Sequence, residues 1–161
     1  MNFPSKQSAC PCGSGNTFSA CCEPLISKQA KATTPEALMR SRYTAYAVKQ
    51  YDYILETYVA STRPSISPEE LGADNTNTLW LTLEITDSEL SPEYGYVSFR
   101  AFYKDKAHAY CLAEKSRFVK QDEEWFYVDG DILPASGKVK IGRNDPCLCG
   151  SQQKSKRCCF K

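Results

Sequence analysis

The chain has 161 residues, a formal net charge of +1 at pH 7, 42% hydrophobic residues, ten tyrosines and nine cysteines. That length is one ordinary domain with room for small appendages, and the near-neutral balance excludes a strongly basic or strongly acidic protein as a whole. No run approaches the ~18 apolar residues of a membrane span, and the start MNFPSKQSAC lacks the apolar segment of a secretory signal, so a cytoplasmic protein with reduced thiols is expected.

The first informative stretch is CPCGSGNTFSACC, residues 10–22, which holds Cys10, Cys12, Cys21 and Cys22 as a C-x-C pair and a C-C pair. In a reducing compartment such clustered thiols point to a metal before disulfides. Adjacent and i, i+2 cysteines would also close strained rings if bridged to each other, although cross-pairing within the cluster stays open. Gly13, Ser14 and Gly15 let the backbone turn after the first pair, and amides in such a turn can donate to sulfur. A short helix is expected before Cys21. No charged residue lies between Cys12 and Cys21.

Thr34-Pro35-Glu36 is a helix start: a capping hydroxyl, a proline at the first position and an acid in the first turn. Apolar spacing predicts helices over 35–48 and 52–60, a short helical turn opens at Ser67-Pro68-Glu69-Glu70, and 75–78 reads as loop. The period then changes to two. LWLTLEIT (79–86), YGYVSFRAFY (94–103), AHAYCLAEKSRFVK (107–120) and EWFYVDGD (124–131) read as strands, with turns at 104–106 and 121–123. Helices followed by an antiparallel meander predict an α+β fold with helices packed on one face of a curved, cone-like sheet.

In the third of these strands His108, Tyr110, Leu112, Glu114, Ser116 and Phe118 share a face. A buried Glu114 needs a partner, which Arg40, Arg42 or Arg100 could supply. An internal ion pair between helix and sheet is the expected arrangement; a pocket holding Glu114 and an arginine is the rival, and it fails if tyrosines and phenylalanines fill that volume. His108, the one histidine, reads as a surface residue, Cys111 as a small core residue, and Asp129-Gly130 as a turn. No phosphate loop, Ser-His-Asp set or dinucleotide fingerprint is present in the sequence.

The chain closes with CLCGSQQKSKRCC, residues 147–159, where Cys147, Cys149, Cys158 and Cys159 repeat the first spacing. Four thiolates at ~2.3 Å complete a tetrahedral zinc shell, and a closed shell is structural. Two zinc ions, one per cluster, are therefore expected, with iron–sulfur, copper or disulfides as alternatives. Residues 137–161 carry seven basic side chains and one acid, a net +6, against −7 for 32–136 and +2 for 1–31. Lys154, Lys156 and Arg157 would offset the −2 charge of a zinc–tetrathiolate, so the two sites should differ electrostatically. A basic tail on an acidic body suggests an acidic or polyanionic partner.

GRNDPCLCGS with its closing CC (142–159) resembles the SEC-C motif, the zinc-binding module at the C-terminus of the preprotein translocase motor, where it is associated with a secretion chaperone and the ribosome. The first cluster matches the core of that motif without the GRNDP lead-in, and Gln152 stands where the motif usually has glycine. The helix-then-sheet order resembles the nuclear-transport-factor-two-like fold. LMRSRY (38–43), EKSRF (114–118), WFYVDG (125–130) and the two clusters together resemble the YchJ-like family of bacterial proteins, across essentially the whole chain. The resemblance implies an N-terminal SEC-C-like module (1–31), a cone-like domain (32–136) and a C-terminal SEC-C module (137–161), with no established activity. The leading reading is a non-enzymatic adaptor whose basic C-terminal module engages secretion or translation machinery. The rivals are a small-ligand-binding or enzymatic cone, and nucleic-acid binding through the tail, for which the single aromatic Phe160 provides little stacking.

Overall fold

The structure is a computed structural model that describes residues 3–161; the first two residues of the expected module 1–31 lie outside the described residues. Four helices precede a five-stranded antiparallel sheet: α1 (Glu23–Ile26), α2 (Pro35–Ala47), α3 (Tyr51–Glu56), α4 (Pro68–Asp74), β1 (Thr78–Leu90), β2 (Tyr94–Asp105), β3 (His108–Gln121), β4 (Glu124–Ile132) and β5 (Gly137–Val139). The strand order is β1-β2-β3-β4, and β5 also pairs with β3. The α+β architecture expected from the change of period is thus observed.

Local chemistry explains the boundaries. Thr34 Oγ1 accepts from the Ala37 amide at 3.1 Å, and Pro35 occupies the position where a missing N–H costs nothing. Ser67 and Glu70 form a reciprocal capping box, which carries α4 to Asp74, beyond the single turn expected. Helix α3, expected over 52–60, stops at Glu56. Its continuation is diverted to the edge of β4: the Val59 amide donates to Tyr127 O and the Tyr127 amide to Thr57 O, both at 2.8 Å. Two sheet-type hydrogen bonds replace the last helical turn.

The meander is as expected, with β1, β2 and β4 longer than read and β3 shifted by one residue. Lys106, Asp122 and Glu123 take positive φ, which closes the two predicted turns tightly. Asp129-Gly130 is not a turn. Both residues lie within β4, paired with Arg117 and Ser116. β5 pairs Val139, Lys138 and Gly137 with Ala109, Tyr110 and Cys111; three residues are too few to show a period of two. Bulges in β1 at Leu81 and Thr86, and in β4 at Val128, break the regular register of the sheet.

Helix α2 lies across the sheet and contacts β1, β2 and β4. Ile54, Val97, Phe99, Ala101, Phe118 and Trp125 form the centre of the core, and Cys12, Phe18 and Cys22 are part of the same buried cluster. The N-terminal segment is therefore built into the body. Burying Phe18 alone contributes on the order of 1.5–3 kcal/mol. Cys111 is buried and His108 exposed, as expected.

Candidate functional site

The two cysteine clusters have the same backbone. In each, a bridge brackets the loop, Ala9 with Thr17 and Pro146 with Lys154. The Cys10 amide donates to Asn16 O at 2.9 Å and the Cys147 amide to Gln153 O at 2.8 Å. Gly13 (φ 75°) and Gly150 (φ 81°) make the turn after C-x-C, a conformation that favours glycine. The expected helix before C-C is a single 3-10 turn in both, Phe18–Ala20 and Ser155–Arg157. Its i→i+3 bonds, Cys21 N to Phe18 O (3.2 Å) and Cys158 N to Ser155 O (3.1 Å), wind the chain tightly enough to bring the second pair back over the first.

The sulfur geometry follows. Within each set all four Sγ atoms lie within 4.8 Å of one another. Cys12–Cys21 and Cys21–Cys22 are 3.6 and 3.8 Å apart, and Cys149–Cys158 and Cys158–Cys159 are 3.4 and 3.8 Å apart. These separations are far beyond an S–S bond of ~2.05 Å. A tetrahedron of ~2.3 Å metal–sulfur bonds has edges of about 3.8 Å. The donor set, its spacing and its burial thus fit a four-thiolate metal site at Cys10, Cys12, Cys21 and Cys22 and another at Cys147, Cys149, Cys158 and Cys159.

Supporting groups repeat as well. Ser14 Oγ lies 3.2 Å from Cys21 Sγ and accepts from the Asn16 amide; Ser151 Oγ lies 3.2 Å from Cys158 Sγ and accepts from the Gln153 amide. Each serine accepts from the backbone with a lone pair and keeps its hydroxyl within hydrogen-bond reach of sulfur, where it can donate to a metal-bound thiolate. The signal was the Gly-Ser dipeptide present after both C-x-C pairs.

Hydrogen bonds with Cys10 and Cys22 hold the Cys12 thiol far below its ordinary value, and those with Cys10 and Cys12 push Cys22 far up. Burial raises Cys21 to about 11. At Cys149 burial pushes up, but bonds from Ser151 and the neighbouring cysteines outweigh it and leave the thiol at about 6. Metal binding needs thiolates, so thiols held up in this way lose their protons as the metal enters.

The clusters differ in surroundings. The first lies against α2: Thr44 Oγ1 donates to Cys22 Sγ at 3.4 Å and sits 3.8 Å from Cys10 Sγ, while Arg40 Nη1 donates to Cys12 O at 2.8 Å. Arg40 thus brings to the first cluster the positive charge that its own loop lacks. Only tertiary structure places it there. The second cluster keeps Cys149, Cys158 and Cys159 half-exposed and is tied to β2 through Lys104 Nζ, which donates to Cys159 O at 2.6 Å.

The ion pair expected at Glu114 is not formed among the described residues. Arg40 is at Cys12, and Arg100 pairs with Glu84 at 2.6 Å. Arg42 is buried, with Nη1 donating to Ile54 O (3.1 Å) and to Thr57 Oγ1. Glu114 instead accepts from Tyr127 Oη at 3.0 Å and from Ser116 Oγ at 3.1 Å. The volume beside it is open: a cavity of about 310 Å³ is lined by Arg42, Glu114 and several aromatic rings. The aromatic side chains wall this volume without filling it.

Comparison with known proteins agrees with both parts. Residues 34–130 match the family description "YchJ, middle NTF2-like domain", and residues 8–24 and 143–161 match "SEC-C motif". A "UPF0225 protein" of Vibrio cholerae serotype O1 is 40% identical over 153 residues, covering 94% of this chain and 99% of its own. One of Vibrio parahaemolyticus is 38% identical over 168 residues. The solution structure of a SEC-C motif containing protein from Rhodopseudomonas palustris superposes with a TM-score of 0.73 at 35% identity, over 77% of this chain and 98% of that one. The crystal structure of a SEC-C motif containing protein from Psychrobacter arcticus does so with 0.68 at 26% identity, over 96% of each. With its middle matched to the YchJ-type domain, both ends to SEC-C and nearly full-length similarity to these relatives, the chain belongs to the bacterial UPF0225 family.

Proposed function

We propose that the protein is a two-zinc, non-enzymatic adaptor of the cytoplasm. One zinc is held by Cys10, Cys12, Cys21 and Cys22, the other by Cys147, Cys149, Cys158 and Cys159. What carries the reading is the repeated tetrathiol geometry, with sulfur separations that a tetrahedral thiolate site requires. Bound zinc would replace the shared protons with fixed bonds and close both loops. A closed four-sulfur shell leaves no position for substrate, so its contribution is to folding and shape.

The C-terminal module is the docking element in this reading. It carries the +6 charge of residues 137–161, and its cysteines are the more exposed set. Its partner is an acidic or polyanionic surface, and the SEC-C resemblance points to a secretion chaperone or the ribosome. Nucleic acid is disfavoured by one contact: Lys104 lies 5.5 Å over the ring of Phe160, so the only aromatic of the tail is engaged with β2 instead of free to stack on bases.

The test has two parts. Metal analysis of freshly reduced protein should give two zinc per chain, with eight thiols released only by chelation and denaturation. Pull-down with ribosomes and with secretion chaperones should then show capture that weakens as salt rises. Metal-free protein with freely reactive clusters removes the zinc reading; no capture, or capture insensitive to salt, removes the adaptor reading.

A further inference from the structure

The cavity between α2 and the sheet is independent of both cysteine clusters. None of the residues lining it is a cysteine. Its volume of about 310 Å³ is at the lower end of the roughly 300–1,000 Å³ typical of small-molecule sites. Its walls are the rings of Tyr46, Tyr58, Trp80 and Tyr127, and Ile132, which is 64% exposed, stands where the cavity meets solvent. Tyr46 and Trp80 have ring centroids 6.0 Å apart, and Tyr58 and Tyr127 meet edge to face at 5.1 Å, so each wall is a packed aromatic pair.

The charged groups are not equivalent. Arg42 is engaged: its guanidinium lies 4.1 Å from the Tyr127 centroid and 4.7 Å from that of Tyr58, and Nη1 is given to Ile54 O and Thr57 Oγ1. Its charge is held by two rings and by backbone. Among the described residues Glu114 is the only carboxylate lining the cavity. It is placed with care. Tyr127 Oη fixes Oε1 and Ser116 Oγ fixes Oε2, each by one bond. Gly130 leaves the room: a Cβ there would stand 2.1 Å from Glu114 Oε1 and 2.4 Å from Cδ. A carboxylate offers about four lone-pair sites, so roughly two remain for a ligand. No cation of the chain pairs with it among the described residues.

We propose that this cavity binds a small organic ammonium compound, with a flat or apolar body between the aromatic walls and its N–H groups donating to Glu114. The Tyr58 and Tyr127 faces already hold Arg42, so Tyr46 and Trp80 are the rings that receive the body of the ligand, and the fixed Glu114 carboxylate takes its N–H groups through charge-assisted hydrogen bonds. The site lies in residues that the zinc reading does not use, so metal content and ligand binding succeed or fail separately.

The experiment uses two probes of nearly equal shape, phenethylamine and 3-phenylpropionate, on full-length zinc-loaded protein. The readout is the indole N–H signal of Trp80 in nitrogen-edited NMR spectra. Trp125, the other tryptophan, is not part of this cavity and serves as the internal control. Phenethylamine should move the Trp80 signal saturably and leave Trp125 in place, while 3-phenylpropionate should not. Glu114→Gln keeps the size of the side chain and an acceptor for Tyr127, and should weaken the amine by about tenfold or more, the loss of one charge-assisted bond. Preference for the carboxylate, no saturable shift with either probe, or equal amine affinity in Glu114→Gln overturns the proposal. The comparison of the two probes is made on the wild-type protein and decides the matter even where the variant does not fold.

Discussion

Gln152 shows how one residue departs from a repeated template. It occupies the position of Gly15 in the first cluster, and the chain there has φ 65° against 88° for Gly15. A side chain in the left-handed region costs roughly 1–2 kcal/mol, whereas glycine adds backbone entropy to the unfolded chain worth roughly 0.4–1 kcal/mol. The difference favours glycine, so Gln152→Gly should stabilise the C-terminal module by about 0.5 kcal/mol, read as slower loss of metal to a chelator. Gly130 makes the opposite case. Gly130→Ala places a methyl against the Glu114 side chain and should destabilise by about 1–3 kcal/mol, a fall in Tm of roughly 2–4 °C per kcal/mol. The double variant Gly130→Ala, Glu114→Ala should lose less than the sum of the two single changes, because the clash is gone. Glu114 and Gly130 also mark where sequence reading stopped. Asp-Gly is a strong turn signal, and only the register with Ser116 reveals that this glycine lies in a strand to admit a carboxylate from its neighbour. The ion pair expected for Glu114 was reasonable from composition, but which arginine reaches which carboxylate is decided by helix rotation and by competing partners such as Cys12 O and the tyrosine rings. The eight cysteines were legible because each set of four is closed within thirteen residues.

At the scale of elements, local signals were read well and non-local ones were not. The caps of α2 and α4 and the period-two strands are written in neighbouring residues. The end of α3 and the existence of β5 depend on distant partners, Tyr127 and Ala109 to Cys111, that no window contains. The same distinction separates the two cysteine modules, which share a loop but not a role. The first is part of the core: Phe18, Cys12 and Cys22 are buried with Ile54 and Val97. The second is fastened mainly by Lys104 and by β5. Phe18→Ala should therefore cost the whole protein about 3–5 kcal/mol and lower the single unfolding transition. Cys147→Ser should remove one metal and leave the transition of the body within a few degrees of wild type, as followed by near-ultraviolet dichroism.

For the whole molecule, these differences predict an order of metal loss. The two sites present the same four ligands with the same spacing, so their intrinsic chemistry toward a chelator is alike. Access is not. Three sulfurs of the second set are half-exposed, against one, Cys21, of the first. A chelator must reach the metal to displace thiolate ligands one by one, and a sulfur packed beneath Thr44 and Phe18 is reached only when α2 loosens. Loss from the C-terminal site should then track the local opening of a peripheral loop, and loss from the N-terminal site the opening of the core. Zinc-loaded protein treated with excess chelator at neutral pH should release one equivalent quickly with no change in the aromatic dichroism of the body. The second equivalent should leave slowly, at a rate that rises in step with denaturant and coincides with the loss of that signal. Simultaneous release of both ions, or early release from Cys10, Cys12, Cys21 and Cys22, would mean that the N-terminal cluster is not the staple its burial implies.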